Sequence, residues 1–453
     1  MGMKLVLRLV ETGIDGSSRS VDVLEIVGRS DPGDIAALGL TLSQGKQLLG
    51  LIQREVVAAQ CRELAIRRPS CRSCAAVCQV KDYRPRQIAT LFGQVTVRLP
   101  RFRCASCGTM EAAVDWPVRC RSTPELDQLQ AHLSALMPYR TAAGLLKLLL
   151  PIDAGISHES MRGRTLKFGE ALRDAPLEPT TAAPAITLSL DSTFIRSCEE
   201  DQRHLEVRLG NVEASRGVRQ VFAAVAKTDT SIVALIQRSL AEIGHTADTE
   251  LTAFTDGCSG LRSILVDAGV TAPPYLDWFH IAMRLHHAEK TAGTLPIDTP
   301  EREHARAVIV TEIDRLHGRI WNGKAKDAQI TLERIRDVMP AFHGEGGRNK
   351  DPAWHRLWKA LRAIDRYLSN QSAWLVNYAE RHRAGLRVGT SLTEATANFL
   401  VNHRMNKSQQ MRWSRHGADR LLQVRCAVLN GKLGSGIGQL FKANPGSEMA
   451  IAA

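Results

Sequence analysis

The chain has 453 residues, a net charge of +12 and a hydrophobic fraction of 44%, so about three domains with buried cores are expected. It contains no run of about 18 uncharged apolar residues, which argues against a membrane span, and its N-terminus lacks a signal-peptide cleavage pattern. We therefore expect a cytoplasmic protein whose positive charge favours a polyanionic partner. A soluble basic protein without such a partner is the alternative.

The excess positive charge is concentrated early in the chain. Residues 1–66 are predicted to form strands and then a helix from Gln44 to Ala65, capped by Thr41 or Ser43. Between Cys61 and Arg121, twelve Lys and Arg residues stand against four acidic residues, a net charge of +8.

Two Cys-x-x-Cys pairs frame a predicted strand pair in residues 67–122. They are Cys71 with Cys74, and Cys104 with Cys107. Zn²⁺ takes four ligands at tetrahedral angles, which two cysteine turns on a hairpin can supply. In a reducing compartment this spacing favours metal binding over disulfides. We predict a Zn²⁺ site in a zinc ribbon, with four reduced cysteines in turns as the alternative.

Other side chains of this segment carry weaker predictions. Cys78 lies near the first pair and is a candidate to replace one of its ligands. Four arginines are candidates for phosphate contacts, with solvated surface as the alternative for each: Arg84, Arg86, Arg101 and Arg103.

Residues 123–174 show apolar spacing typical of three helices. The third helix begins after Ser157, a good N-cap residue. A helix, a short turn and a capped basic helix suit a helix-turn-helix, whereas a plain three-helix bundle is the alternative. In a helix-turn-helix the side chains facing the major groove would be His158, Glu159, Arg162 and Arg164.

The stretch 175–184 is rich in Pro, Thr and Ala and predicts a domain boundary. Residues 185–290 then follow the order strand, strand, strand, helix, strand, helix, strand, which is the order of the ribonuclease-H-like fold. In that fold the first and fourth strands are central neighbours. Asp191 and Asp256, each at the end of an apolar strand, would then lie side by side.

The remaining chain divides into three parts. Residues 291–388 predict an all-α insertion whose tryptophans are expected mainly in its core. Residues 389–430 would supply the last helices of the catalytic core, including Glu394, and residues 431–453 a flexible tail. The predicted fold is therefore an α/β protein with a ribonuclease-H-like mixed sheet core interrupted by an all-α insertion, preceded by a zinc ribbon and a helix-turn-helix.

The motifs around these carboxylates resemble the bacterial insertion-sequence transposases of the DDE type, in particular Mutator-like groups with an α-helical insertion. The resemblance rests on Asp191 in a strand, Asp256 in Thr-Asp-Gly, the motif Asp277-Trp-Phe-His280, Glu394, and the run 402–417. A Cys-x-x-Cys ribbon and a helix-turn-helix also precede the catalytic core in the zinc-ribbon members, so the resemblance covers most of the chain.

The resemblance implies metal-dependent DNA cleavage and strand transfer. Asp191, Asp256 and Glu394 would hold Mg²⁺ (or Mn²⁺) for two-metal phosphoryl transfer, and His280 would orient a phosphate or bond a catalytic carboxylate. The partners would be double-stranded DNA, both terminal inverted repeats and target, and further copies of the chain in a homodimer or higher oligomer. The protein would be nucleoid-associated when bound to DNA.

Several assignments keep a rival at this stage. Glu380 competes with Glu394, because Ala395 stands where the family often has Ser. Asp277 is predicted to cap the following helix, and Asn398 to position Glu394 from one turn away. His280 as a structural residue is the alternative to its catalytic role. Candidates for DNA-backbone contacts near the C-terminus are Arg404, Lys407, Arg412 and Arg415.

Three other functions remain open from the sequence. The first is a catalytically inactive or repurposed sequence-specific DNA-binding protein. The second is a ribonuclease-H-like nuclease acting on RNA–DNA hybrids or junctions. The third is a zinc-containing structural protein that binds nucleic acid without sequence preference.

Overall fold

The computed structural model shows a mixed α/β protein. It describes residues 4–13, 16–27, 39–114, 121–153, 155–177, 180–215, 217–225, 227–342, 352–389, 395–406 and 411–433. The chain divides into two compact units, Met1–Ala175 with Gly431–Ala453 and Pro176–Asn430, and the first boundary lies at the start of the segment predicted as a linker. None of the described helices is both long and apolar enough to cross a membrane.

The first unit begins with a β-hairpin and a long helix. Strands β1 (Lys4–Thr12) and β2 (Ser18–Val27) pair antiparallel, and α1 spans Leu42–Ile66. Thr41 caps α1 as predicted: its hydroxyl accepts from the Gln44 N–H at 3.2 Å, while the Gln44 side chain accepts from the Thr41 N–H at 2.9 Å. This reciprocal pair satisfies two N–H groups that a helix start leaves unpaired.

A three-stranded antiparallel sheet follows, with β3 (Cys78–Thr90), β4 (Gly93–Cys104) and β5 (Met110–Ala112). Gly93 lies in the tight turn between β3 and β4 at φ +109°, a conformation that favours glycine. At the far end of this hairpin Cys78 pairs with Cys104, so the sheet brings the two cysteine turns to the same end.

Three helices complete the described part of the first unit: α2 (Pro124–Leu136), α3 (Tyr139–Leu149) and α4 (His158–Asp174). Ser157 caps α4, as predicted, by accepting from the Ser160 N–H at 3.1 Å. The three helices share a buried apolar core that includes Leu126, Leu146 and Met161.

The second unit contains a five-stranded mixed sheet. Its strands are β6 (Ala185–Arg196), β7 (His204–Ala214), β8 (Arg219–Ala224), β9 (Glu250–Thr255) and β10 (Tyr275–Leu276). The spatial order is β10-β9-β6-β7-β8. Strand β6 pairs parallel with β9 and antiparallel with β7, so the first and fourth strands are neighbours, as expected from the sequence.

Helices cover both faces of this sheet. Helices α5 (Asp229–Glu242) and α6 (Ser259–Asp267) lie on the face that buries Leu188 and Leu190. The opposite face buries residues such as Val207 and Leu209 against the C-terminal helical segments. Those segments are a π-helical turn (Asn398–Asn402), a short turn (His403–Met405) and a final helix, α12 (Arg415–Leu429). Because alternate strand residues point to opposite faces, continuous apolar strands are what a sheet covered on both sides requires.

Helices α7 (Trp278–Ala292), α8 (Pro300–Trp321), α9 (Ala325–Val338), α10 (Pro352–Gln371) and α11 (Tyr378–Arg383) form an all-α layer with its own core. This core extends to Leu276 of β10, so α7 packs with the helices that follow it, although all of α7 up to residue 290 was assigned from the sequence to the sheet domain. Trp354 is buried in it, and Trp278 packs edge-on against Trp321.

Gly210 lies in the interior strand β7, where the neighbouring strands β6 and β8 approach it closely. A Cβ there would lie 2.0 Å from the Ser189 carbonyl oxygen and 2.6 Å from the Phe222 ring. We expect Gly210→Ala to lower the free energy of unfolding by about 2–4 kcal/mol, because strand backbone cannot yield as a flexible side chain can. Denaturant unfolding measures this. Gly318→Ala in α8, where a Cβ meets nothing within 4 Å, is the control and should not destabilise the protein; equal effects would contradict the close approach.

Candidate functional site

Four cysteine side chains converge in the first unit. The Sγ atoms of Cys71 and Cys107 are 3.4 Å apart, those of Cys74 and Cys104 3.4 Å, and those of Cys74 and Cys107 3.6 Å. All four lie within 4.8 Å of one another, and within the described residues this is the only group of three or more His, Cys, Asp or Glu that converges so closely. Thiolates about 2.3 Å from a tetrahedral Zn²⁺ are about 3.8 Å apart. The four cysteines could therefore hold a metal such as zinc.

Two turns of the same geometry present these thiols. In the first, the Ala75 N–H donates to the Cys71 carbonyl at 2.8 Å, and in the second the Gly108 N–H donates to the Cys104 carbonyl at 3.1 Å. Ala75 and Gly108 have φ of +59° and +76°. Each turn folds back four residues after its first cysteine, so both Sγ atoms of a pair point to the same side.

The thiols are not electrostatically equivalent. Hydrogen bonds from the hydroxyl and N–H of Thr109 lower the pKa of Cys107 to about 6, and backbone N–H groups, that of Cys107 first, also lower the pKa of Cys104. Thiolate is the form that binds a metal. This turn therefore favours metal-competent ligands.

Cys78, the candidate substitute ligand, is buried outside the group of four. Its Sγ is 4.0 Å from the Ala76 carbonyl oxygen, and burial raises the pKa of its thiol. The ligand set read from the structure is therefore the one made of the two Cys-x-x-Cys pairs.

In the second unit, Asp191 and Asp256 occupy equivalent places on neighbouring strands. The parallel pairing of β6 with β9 ends at Leu190 opposite Thr255, and each aspartate is the next residue. The sequence predicted that the first strand ends before Asp191, but β6 continues to Arg196 because it remains paired with β7. Asp191 therefore lies within a strand, at the point where its other neighbour has ended.

Asp277 and His280 approach this strand end from α7. The His280 Nε2 is 3.7 Å from Asp191 Oδ2 and 3.8 Å from Asp277 Oδ2. Asp277 caps α7, as predicted, by accepting from the Phe279 N–H at 2.9 Å, and its own N–H donates to the Thr255 carbonyl at 3.0 Å. Its side chain is 1% exposed. The end of β9, the start of α7 and the His280 imidazole thus meet at Asp277.

Burial and the neighbouring carboxylates make ionisation of Asp191 unfavourable. Burial raises the pKa of Asp191, and the charges of Asp256 and Asp277 raise it further, while His280 and the Ser192 N–H oppose the shift. The two neighbouring carboxylates thus disfavour ionisation of Asp191, an effect that a bound cation would offset. Carboxylate oxygens are the ligands that hard divalent cations such as Mg²⁺ take, but among the described residues only the four cysteines place three or more ligand atoms within 4.8 Å of one another.

The third predicted carboxylate, Glu394, lies outside the described residues. The chain leading to it passes along Asp277: the Trp278 N–H donates to the Val388 carbonyl at 3.1 Å, and a Cβ at Gly389 would lie 2.7 Å from Asp277 Oδ1. The rival, Glu380, is an exposed residue of α11.

Asn398 was predicted to position Glu394. In the structure it begins the π-helical turn and accepts a hydrogen bond from the Asn402 side chain at 2.7 Å. π-Helical turns are rare and are found frequently at functional sites.

The predicted DNA-contacting residues differ in exposure. Those that are exposed are Arg84, Arg86, Arg103, Arg162 and Arg412. His158 is half-buried, with its Nε2 3.1 Å from Glu159, and Lys407 lies outside the described residues.

Three other candidates have partners within the protein, and one of them, Arg404, is buried. Arg101 forms a two-point ion pair with Asp82 across the β3–β4 hairpin. Arg164 donates to the Gln130 side chain at 3.1 Å and lies 3.4 Å from Asp127. Arg404 is fully buried, with its guanidinium 5.4 Å from the Trp413 ring centre. A long guanidinium side chain serves internal pairing as readily as phosphate binding, and sequence cannot distinguish the two uses.

Two residues that the sequence did not single out contact the Asp256 loop. Tyr367 and Gln371 of α10 donate hydrogen bonds to the backbone carbonyls of Asp256 and Gly257, both at 2.8 Å. They lie more than a hundred residues further along the chain, and their only signal is a shared helix face at a spacing of four residues.

The chain was compared with protein-family models and with curated proteins, and neither search gave a match.

For the cysteine site, we expect Cys107→Ser to lose its zinc to a competing chelator that leaves the wild-type protein loaded, measured by elemental analysis of the full-length protein. Four-cysteine sites bind zinc with about 10–16 kcal/mol, so one lost ligand weakens binding by at least about a hundredfold. Cys78→Ser is the matched control and should retain one zinc. Loss of zinc in the control, or its retention in Cys107→Ser, would refute the ligand set.

For the carboxylate site, we expect Asp191→Asn to raise the melting temperature of the metal-free protein at pH 7. The folded state raises the pKa of Asp191, so the ionised carboxylate destabilises the fold above that pKa, and the penalty disappears as pH falls below the ordinary carboxyl value. The stabilisation should therefore shrink on acidification. Asp201→Asn, at an exposed turn, is the control; a lower melting temperature for Asp191→Asn at pH 7 would contradict the prediction.

Proposed function

We propose that this protein is a DDE-type DNA transposase that binds element ends and carries out metal-dependent DNA cleavage and strand transfer. The observation that carries the proposal is the parallel pairing of β6 with β9, which ends at Leu190 and Thr255 and leaves Asp191 and Asp256 as the next residues. Two acidic side chains directly after this parallel pairing, with His280 beside one of them, are what the resemblance to these transposases predicts.

The order of elements supports a ribonuclease-H-like core for the second unit. Three antiparallel strands come first, then a helix, and a fourth strand returns to pair in parallel with the first. An all-α insertion follows the fifth strand. We further propose that the four-cysteine site belongs to a zinc ribbon on the β3–β5 sheet and that helices α2–α4 act as a helix-turn-helix.

Asp191 and Asp256 are proposed to hold Mg²⁺ or Mn²⁺, with Glu394 as a third ligand. When bound, such ions activate the attacking oxygen and stabilise the leaving oxygen in phosphoryl transfer. The donor set of partly buried carboxylates suits them.

The remaining roles belong to the protein's own groups. His280 lies within 4 Å of two carboxylates, where a donor would either hold Asp191 in orientation or contact a phosphate oxygen. Asp277 is buried and fixed by the start of α7, so it is proposed to hold the imidazole in place rather than to contact DNA.

Exposed basic residues of the first unit are proposed to bind the DNA ends. Arg84 and Arg86 lie on β3, Arg103 on β4 and Arg162 on α4, all with exposed side chains. Such contacts release counterions, so binding should weaken as salt rises. Two ends must be held together, and we therefore propose that a dimer or larger assembly acts on DNA.

The decisive experiment separates binding from chemistry. We expect Asp191→Asn and Asp256→Asn to reduce cleavage and joining of element-end DNA by at least about a thousandfold, because each removes a charged ligand worth several kcal/mol in the transition state. End binding, measured by gel shift, should survive. Glu380→Gln, on the exposed face of α11, is the control and should remain active.

Other outcomes would favour the rival functions. End binding by the wild-type protein without cleavage in Mg²⁺ or Mn²⁺ would indicate a DNA-binding protein with an inactive core. Cleavage of RNA–DNA hybrids or junctions without joining of element ends would indicate a nuclease. Strand transfer retained by Asp191→Asn would refute the proposed site.

A further inference from the structure

The loop that carries Asp256 is held from outside the sheet. β9 ends at Thr255, and α6 begins at Ser259, so few residues connect them. Asp256 Oδ1 accepts from the Cys258 N–H at 2.8 Å, which orients one face of the carboxylate. The backbone carbonyls of Asp256 and Gly257, by contrast, find their donors on a helix of the insertion.

Two side chains of α10 supply those donors. The Tyr367 hydroxyl donates to the Asp256 carbonyl at 2.8 Å, and the Gln371 Nε2 donates to the Gly257 carbonyl at 2.8 Å. Residues four apart lie on one helix face, so a single face of α10 grips two consecutive peptide groups. That fixes the direction of the peptide plane on which the Asp256 side chain is mounted.

Each donor is itself held in place. The Gln371 Oε1 accepts from Arg262 Nη1 at 2.7 Å, which assigns the amide orientation, and the Arg262 guanidinium lies 4.8 Å from the Trp374 ring centre. The Arg284 guanidinium lies 4.8 Å from the Tyr367 ring centre. A side chain with a fixed rotamer transmits the position of its helix, because little freedom remains in between.

The backbone conformation and close neighbours of Gly257 leave no room for a side chain there. Its φ is +92°, and a Cβ there would lie 2.9 Å from Leu276 Cδ2 and 3.1 Å from Gln371 Cδ. The helix itself is anchored by Leu357, Leu361 and Leu368, which are at most 2% exposed. The loop therefore packs closely against α10, and α10 is itself fixed by its buried leucines.

We propose that Tyr367 and Gln371 are positioning residues, through which the all-α insertion sets the orientation of the Asp256 carboxylate for metal binding. The inference rests on the proposed function in taking Asp256 as a metal ligand. It gives the insertion a direct part in the site, transmitted through backbone carbonyls rather than through any contact of its own with the metal.

Two conservative variants test the inference. Tyr367→Phe removes the hydroxyl and keeps the ring against Arg284. Gln371→Glu keeps an oxygen for Arg262 but replaces the donor to Gly257 with an acceptor. Gln329→Ala is the matched control, because the Gln329 amide also bonds α10, at Ser369 at 3.2 Å, without reaching the loop.

The first readout needs no metal. In full-length metal-free protein we expect hydrogen exchange of the segment 254–261 to rise roughly three- to tenfold in Tyr367→Phe and Gln371→Glu, as expected for loss of one net hydrogen bond, and to stay unchanged in Gln329→Ala. Exchange identical to the control in both variants would overturn the inference.

The second readout is Mn²⁺ affinity, measured by calorimetry on the same proteins with Asp256→Asn as the reference. We expect both variants to bind Mn²⁺ roughly tenfold more weakly while melting within a few degrees of the control, as the loss of one hydrogen bond allows. Wild-type affinity in both variants, with binding lost in Asp256→Asn, would overturn the positioning role and leave the proposed function intact. Unchanged affinity in Asp256→Asn would refute the metal site itself, and the exchange experiment would then decide alone whether α10 holds the loop.

Discussion

The parallel pairing of β6 with β9 is the constraint on which the second unit depends. Parallel strands need a crossover connection, and here β7, β8 and α5 lie between them in sequence. Once the two strands pair, the residues after Leu190 and Thr255 are neighbours whatever else the chain does. The unfavourable burial of Asp191 follows from this placement.

The surrounding elements stabilise this arrangement by supplying partners to backbone groups. The Asp277 N–H donates to the Thr255 carbonyl, and the Asp277 side chain caps α7. Tyr367 and Gln371 satisfy the carbonyls of the Asp256 loop. Buried peptide groups require such partners, and here the partners come from the all-α layer, so the packing of the insertion and the geometry of the strand ends are linked.

In the first unit, strand pairing brings together thiols rather than carboxylates. A long hairpin places Cys78 opposite Cys104 and so brings two distant turns together, but the small apolar cluster around Phe102 is limited. A metal bound by the four cysteines would contribute folding free energy where the core is small. Some basic residues of this unit are exposed, whereas others form ion pairs within the unit, as Arg101 does with Asp82.

The sequence by itself determined the elements whose signals are local. The Cys-x-x-Cys pairs, the Thr41 and Ser157 caps, the order of strands and helices in the second unit, and the acidic residue after each of two apolar strands were all predictable, because spacing and capping chemistry act over a few residues. Only the tertiary structure decided which basic side chains are buried, that β6 continues past Asp191, and that Tyr367 and Gln371 reach the Asp256 loop. These features depend on contacts between segments far apart in the chain, such as the 111 residues between Asp256 and Tyr367. Local patterns in one sequence do not show which distant segments come into contact.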